Sequence, residues 1–89
     1  SCLDEAETLG AMLGPGEPER RIAAGAFSVS GRAGVDAVDL VSSMLERVDR
    51  ILADAGVNTL LVDPLDAIAG GEVSAQAIAV AIADAATTH

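Results

Sequence analysis

The two residues best suited to nucleophilic or soft-metal chemistry, Cys2 and His89, stand at opposite ends of the chain, and each is the only one of its kind. A thiol or hydroxyl nucleophile needs a base within hydrogen-bonding reach. A Cys2–His89 pair would have to be assembled from two chain ends, and terminal residues fray. A structural zinc site takes about four Cys or His ligands, so two in total exclude it. A lone cysteine cannot close an internal disulfide. Cys2 is therefore read as a free thiol, or as the half-cystine of an intermolecular disulfide between two copies.

Carboxylates are more plentiful, in three groups: Asp4, Glu5 and Glu7; Asp36 and Asp39; Asp63 and Asp66. Close carboxylate pairs can carry acid–base work or hold a divalent cation. Each group here opens a predicted helix, where negative charge is favoured by the helix dipole, and Asp63/Asp66 has no EF-hand spacing. The glycine pairs Gly14/Gly16, Gly31/Gly34 and Gly70/Gly71 follow no strand with Rossmann or P-loop spacing, so they read as turns rather than phosphate cradles. The expectation is a non-enzymatic protein with no catalytic residue, no metal site and no cofactor.

Charge and composition narrow the partners. Fourteen acids stand against five basic residues, a net charge of −9, and every basic residue is arginine. Nucleic-acid binding rests on neutralising phosphates, and this chain has neither a basic stripe nor stacking aromatics, Phe27 being its one aromatic residue. An anionic membrane surface would repel it, and no apolar run reaches the roughly 18 residues of a membrane span. The predicted protein is acidic and soluble, of unassigned compartment. Its start at serine suggests a single domain, residues 1–89, excised or processed from a longer chain.

With 51% hydrophobic residues but one aromatic, the core has to be built from Leu, Ile, Val, Met and Ala, which suits close helix packing better than a sheet. The predicted fold is all-α, a small bundle of four to five helices over about 2–13, 18–26, 37–55, 64–69 and 75–87. Apolar residues recur at helical spacing in 2–13, and Gly14-Pro15-Gly16 stops that helix. Pro18 suits the start of the second. Residues 28–34, "SVSGRAG", read as a loop by composition. The third has the fullest set of signals: Asp36 as N-cap, Val35 and Leu40 at staple positions, and Gly56 as a left-handed C-cap. Leu60-Leu61-Val62 is an extended or single-turn connector. Asp63 and Pro64 then begin a short helix that Gly70-Gly71 ends, and Ser74 precedes the last.

Two apolar faces remain to be covered. On the third helix Val38, Val41, Leu45, Val48, Leu52 and Ala55 centre a stripe of roughly 160°, wide enough for the core of its own domain. The last helix, "AQAIAVAIADAAT", is apolar all round, with Ala75, Ala79 and Ala83 spaced to admit another helix closely. Its interface candidates are Ala75, Ile78, Ala79, Ile82, Ala83 and Ala86, with Val41, Leu45, Val48 and Leu52 as a lesser set on the third helix. A small chain can scarcely cover such a helix alone. The expected function is a protein–protein interaction or assembly domain, alanine-rich and acidic, that forms a homodimer through apolar helix faces or docks another helical protein. Two alternatives accompany it: a carrier of a lipid or other apolar small molecule, and a pH-responsive terminal or regulatory domain of a larger protein.

Overall fold

In three of the five helices a short polar side chain takes up backbone N–H groups that the first turn leaves free. A computed structural model describes residues 2–88, with side chains from Asp4 onward. Among the described residues the fold is all-helical: α1 Cys2–Leu13, α2 Glu17–Ala33, α3 Ala37–Asp54, α4 Pro64–Ala69 and α5 Ala75–Thr87. Asp36 accepts from the amides of Val38 and Asp39 at 2.9 and 3.2 Å. Asp63 accepts from Leu65 at 2.8 Å and Ser74 from Ala77 at 3.1 Å. The Asp36 and Asp63 caps are those expected from the sequence, and the last helix begins after Ser74 as read there. Gly56 likewise has a left-handed φ of 88°, and the Val57 amide returns to the Leu52 carbonyl at 2.9 Å, the six-to-one bond of a Schellman motif.

The second helix departs from expectation. It begins one residue before Pro18 and runs to Ala33, through the segment whose small polar residues suggested a loop. The apolar period decides the matter: Ile22, Ala26 and Ser30 are buried at four-residue spacing, and Val29 packs against the core beside them. The Ser30 hydroxyl, inside that face, donates to the Phe27 carbonyl at 3.1 Å, so its burial leaves no free donor. The true stop is Gly34 at φ 70°, with Val35 N–H bonded to Ser30 O at 3.2 Å.

Glu19, in the first turn of α2, is buried, and its Oε1 has no hydrogen-bond partner among the described residues. Its other oxygen lies where a Cβ on Gly16 would stand. Gly16 has an ordinary φ of −68°, so the space, and not the backbone angle, calls for glycine.

The core is centred on Leu9, Leu40, Val41, Met44 and Val48, all fully buried. α3 supplies four of these five and contacts every other helix, most extensively α5. Its broad stripe is thus the internal strut of the domain, but the centre is displaced from the one read in the sequence: Leu40 and Met44 are fully buried, while Val38 and Leu45 are half-buried and Ala55 is exposed. The Cα radius of gyration is 12.3 Å, against about 12 Å for a compact domain of this length. One polar clasp reinforces the α3–α5 packing. Arg47, its side chain 16% exposed, donates from Nε to Asp84 at 2.6 Å and from Nη2 to the Thr88 hydroxyl at 2.7 Å. Its Nη1 donates to the Ser43 carbonyl on its own helix at 3.0 Å. Among the described residues no helix is long and apolar enough to cross a membrane.

Candidate functional site

α2 and α5 each carry small or branched apolar residues on the side where they face one another beyond the core. On α2, Pro18, Ile22 and Gly25 fall on one face at spacings of four and three; on α5, Ala75, Ile78, Ala79 and Ile82 do the same. Between these faces, closed at one end by Ile68, Gly71 and Val73, lies a half-open groove of about 420 Å³. Its lining is apolar except for Glu17 and Arg21 at the rim. A Cβ on Gly25 would approach Ile82 Cδ1 at 3.8 Å, ordinary contact, so glycine there widens the groove without being sterically required.

The rim is held by exposed charges. The Glu17 carboxylate lies 2.7 Å from Arg20 Nη2 and 3.6 Å from Arg21 Nε, and Arg20 also donates to the Pro15 carbonyl at 3.1 Å. Exposed pairs of this kind contribute about 0–1 kcal/mol each, so they shape the mouth of the groove more than they stabilise the fold. With two acids against three arginines, α2 carries a net positive charge within an acidic protein.

Beyond the groove the outer side of α5 is open. Ala75, Ala79 and Ala83 are exposed, and Val80 is 60% exposed. A second apolar feature lies at the α3–α4 connection. There Leu60 and Leu61 are 92% and 82% exposed, while Val57 and Val62 on either side pack against the core. The Leu60 amide donates to Asn58 Oδ1 at 3.1 Å, and those of Leu61 and Val62 donate to the Asn58 carbonyl at 3.0 and 3.2 Å. The connector is therefore a formed single turn, anchored by two valines, that holds two leucines in water. Burying a leucine side chain is worth about 1.5–3 kcal/mol, which this chain forgoes twice.

The residues singled out from the sequence separate by their place in the fold. Ala75, Ile78, Ala79 and Ile82 line the groove, and Ala83 lies exposed on the open side of α5. Ala86 is half-buried against the core. Val41, Val48 and Leu52 are buried under the chain's own helices. Leu45 is half-buried and edges a shallow hollow with Ser42, Glu46, Asp49, Arg50 and Pro64. The Cys2 side chain and His89 lie outside the described residues. Sequence reasoning missed the half of the groove made by α2 and α4, although Gly25 inside an apolar helical period was a usable signal. It also missed the exposure of Leu60 and Leu61.

Among the described residues no group of three or more His, Cys, Asp and Glu could hold a metal ion, and the groove floor presents no nucleophile or base. Two carboxylates elsewhere are electrostatically linked. The Glu5 carboxyl is held above its ordinary range, first by donating a hydrogen bond to Asp36 and then by partial desolvation and the charge of Asp36. The Asp36 carboxylate is held below its own, chiefly by the Asp39 amide, with the Glu5 hydrogen bond and the Val38 amide adding to it. This pair ties α1 to the start of α3, away from the residues that line the groove.

No family model, curated protein or solved structure matches this chain, so its function has to be read from its own geometry.

Proposed function

We propose that this chain is a non-enzymatic protein–protein docking domain that associates with further copies of itself through the groove between α2 and α5 and the open side of α5. The observation that carries this reading is the continuity of those two surfaces. Ala75 and Ala79 belong to both, so the apolar groove passes without a charged break onto uncovered helix. A contiguous apolar surface with charges only at its rim is the usual form of a docking site. The small residues of α5 let a partner approach its backbone closely.

Sedimentation velocity and light scattering over a concentration series test this directly, at pH 7 and near pH 5, with and without reductant. Mass should rise with concentration in reductant, and Ala79→Glu, at an exposed position, should keep the helical signal and abolish the rise. A strict monomer at every concentration and in every condition would overturn self-association. A dimer present only without reductant would transfer the contact to Cys2.

The groove's volume favours a second reading. At about 420 Å³ it falls within the roughly 300–1,000 Å³ typical of small-molecule sites, and its apolar lining suits a lipid-like or other apolar ligand. Native mass spectrometry separates the two. A retained apolar molecule, displaced by Gly25→Leu, would establish carriage in place of docking.

A further inference from the structure

We infer that copies of this chain associate head to tail, the Leu60–Leu61 turn of one copy seating in the α2–α5 groove of the next. This rests on the self-association reading above and specifies which surface meets which. Four observations support it.

The turn is a knob already formed. Val57 and Val62 fasten its two ends to the core, Asn58 bonds the amides between them, and Leu60 and Leu61 are left 92% and 82% exposed. Presenting anchors in a fixed conformation reduces the ordering cost of association. Neither leucine lines the groove of its own chain, so both remain available to another copy.

The groove is a hole of suitable size. A closed apolar cavity of about 150 Å³ accepts the six carbons of a benzene ring. At about 420 Å³ the groove has room for the eight side-chain carbons of two leucines and part of the turn that bears them. Its floor of Ile22, Ile68, Val73 and Ile82 is purely aliphatic, matching leucine in kind.

The charges around the two surfaces are compatible. Residues 54–66, which carry the turn, contain Asp54, Asp63 and Asp66 and no basic residue. The groove mouth lies on the first turns of α2, where Glu17 and Glu19 balance Arg20 and Arg21 and leave no net charge, and where the Arg20 and Arg21 side chains are 67% and 77% exposed. An acidic knob thus meets a charge-balanced mouth with two exposed arginines in a protein of net charge −9, where repulsion between copies is locally relieved.

The alternative of two α5 helices back to back offers little apolar surface, since Val80 is the only side chain larger than alanine among the apolar residues of the open face. It would also leave both leucines in water.

Two different surfaces meeting in this way form rings or open chains, not a closed two-fold pair, and that difference supplies the test. Leu60→Asp with Leu61→Asp breaks the knob, and Ala79→Glu blocks the groove. All three positions are exposed, so both variants should keep the helical signal and melting temperature of the parent. The expectation is that the parent chain grows past two copies as concentration rises. Each variant alone should be monomeric, its association weakened roughly 30-fold or more, as for loss of an interface anchor. Mixed, the two should form a one-to-one complex of twice 8.9 kDa that grows no further, because only one intact knob and one intact groove remain. Parent-like association of the leucine variant would overturn the head-to-tail arrangement while leaving self-association intact. Two monomeric variants that do not combine would overturn it as well. A parent chain that stays monomeric throughout would remove both readings together.

Discussion

α3 and α5 pack against each other more extensively than any other pair of helices, yet they reach that contact from opposite compositions. α3 is charged or polar on one side and apolar on the other, and it buries Ala37, Leu40, Val41, Met44, Val48 and Leu52 completely or nearly so. α5 carries one charge and is apolar all round, yet it buries only Ala81, Ile82 and Ala85 to the same degree. Periodicity therefore locates burial better than hydrophobic content does. Much of the apolar character of α5 is alanine, whose single methyl contributes little to burial while alanine is the best helix former. Its sequence secures the helix without committing every side of it to the core.

This contrast can be broken most directly by truncating one side chain on each helix. Met44→Ala, at a position 0% exposed, should lower unfolding free energy by about 2–5 kcal/mol in a urea or guanidinium titration. Val80→Ala on the open side of α5 should fall within about 0.5 kcal/mol of the parent. Equal losses at the two sites would mean that α5 is covered on all sides in the isolated chain.

The clasp that joins the two helices should show the next largest effect. Arg47→Ala removes the hydrogen bonds to Asp84 and Thr88 and the buried stem of the side chain. The expected loss is about 1–2 kcal/mol, discounted because Asp84 remains 62% exposed. Asp84→Asn should lose less, and the difference should shrink at high salt.

The Asp36 and Asp63 caps and the glycine stops were legible because each is a local event of four to seven residues, whereas the apolar stripe of α3 was legible in its existence but not in its centre, which shifts to Leu40, Val41, Met44 and Val48. The second half of α2 was not, since Ser28, Ser30, Gly31 and Gly34 together outweighed a helical period that continues through Ala26 and Val29. Gly31→Ala sharpens that point. No heavy atom lies within 4 Å of a Cβ placed there, so in a helix the substitution should raise stability by about 0.5–1 kcal/mol. A loss on the same unfolding curve would mean that this segment is not helical. The groove was half legible. Its α5 side follows from residues 75, 78, 79 and 82, but its other wall exists only because α2 and the end of α4 cross nearby, which no local pattern encodes. The exposure of Leu60 and Leu61 was hidden for the same reason, since two leucines in a row suggest burial.

The smallest expected effect distinguishes the starts of the two helices. α5 is capped by a neutral serine, whereas the Asp36 cap of α3 shares a hydrogen bond with Glu5. The Glu5 pKa is raised in the folded state, so its favourable contribution is complete below its ordinary 4.5 and is lost as pH climbs through the raised value. That of Asp36 is lowered, so its contribution is present above 3.8 and is lost as pH falls through the lowered value. At neutral pH two carboxylates therefore stand in opposition at the start of α3. Glu5→Gln should raise the melting temperature slightly at pH 7, with the gain shrinking as pH falls through the raised Glu5 value and largely gone by its ordinary 4.5. A pH-independent gain would assign the effect to something other than this pair.

The Arg47 clasp also bears on how the molecule opens. A helix at the end of a domain ordinarily loses its amide protons to solvent from the free end inward, because its final turn unravels without disturbing anything else. Here Asp84 and Thr88 are gripped from α3, while Ser74 fixes the other end of α5. Native-state exchange should accordingly show the slowly exchanging amides of the last turn leaving in step with those of α3, as one cooperative unit. In the Arg47→Ala protein the last turn should exchange early and alone.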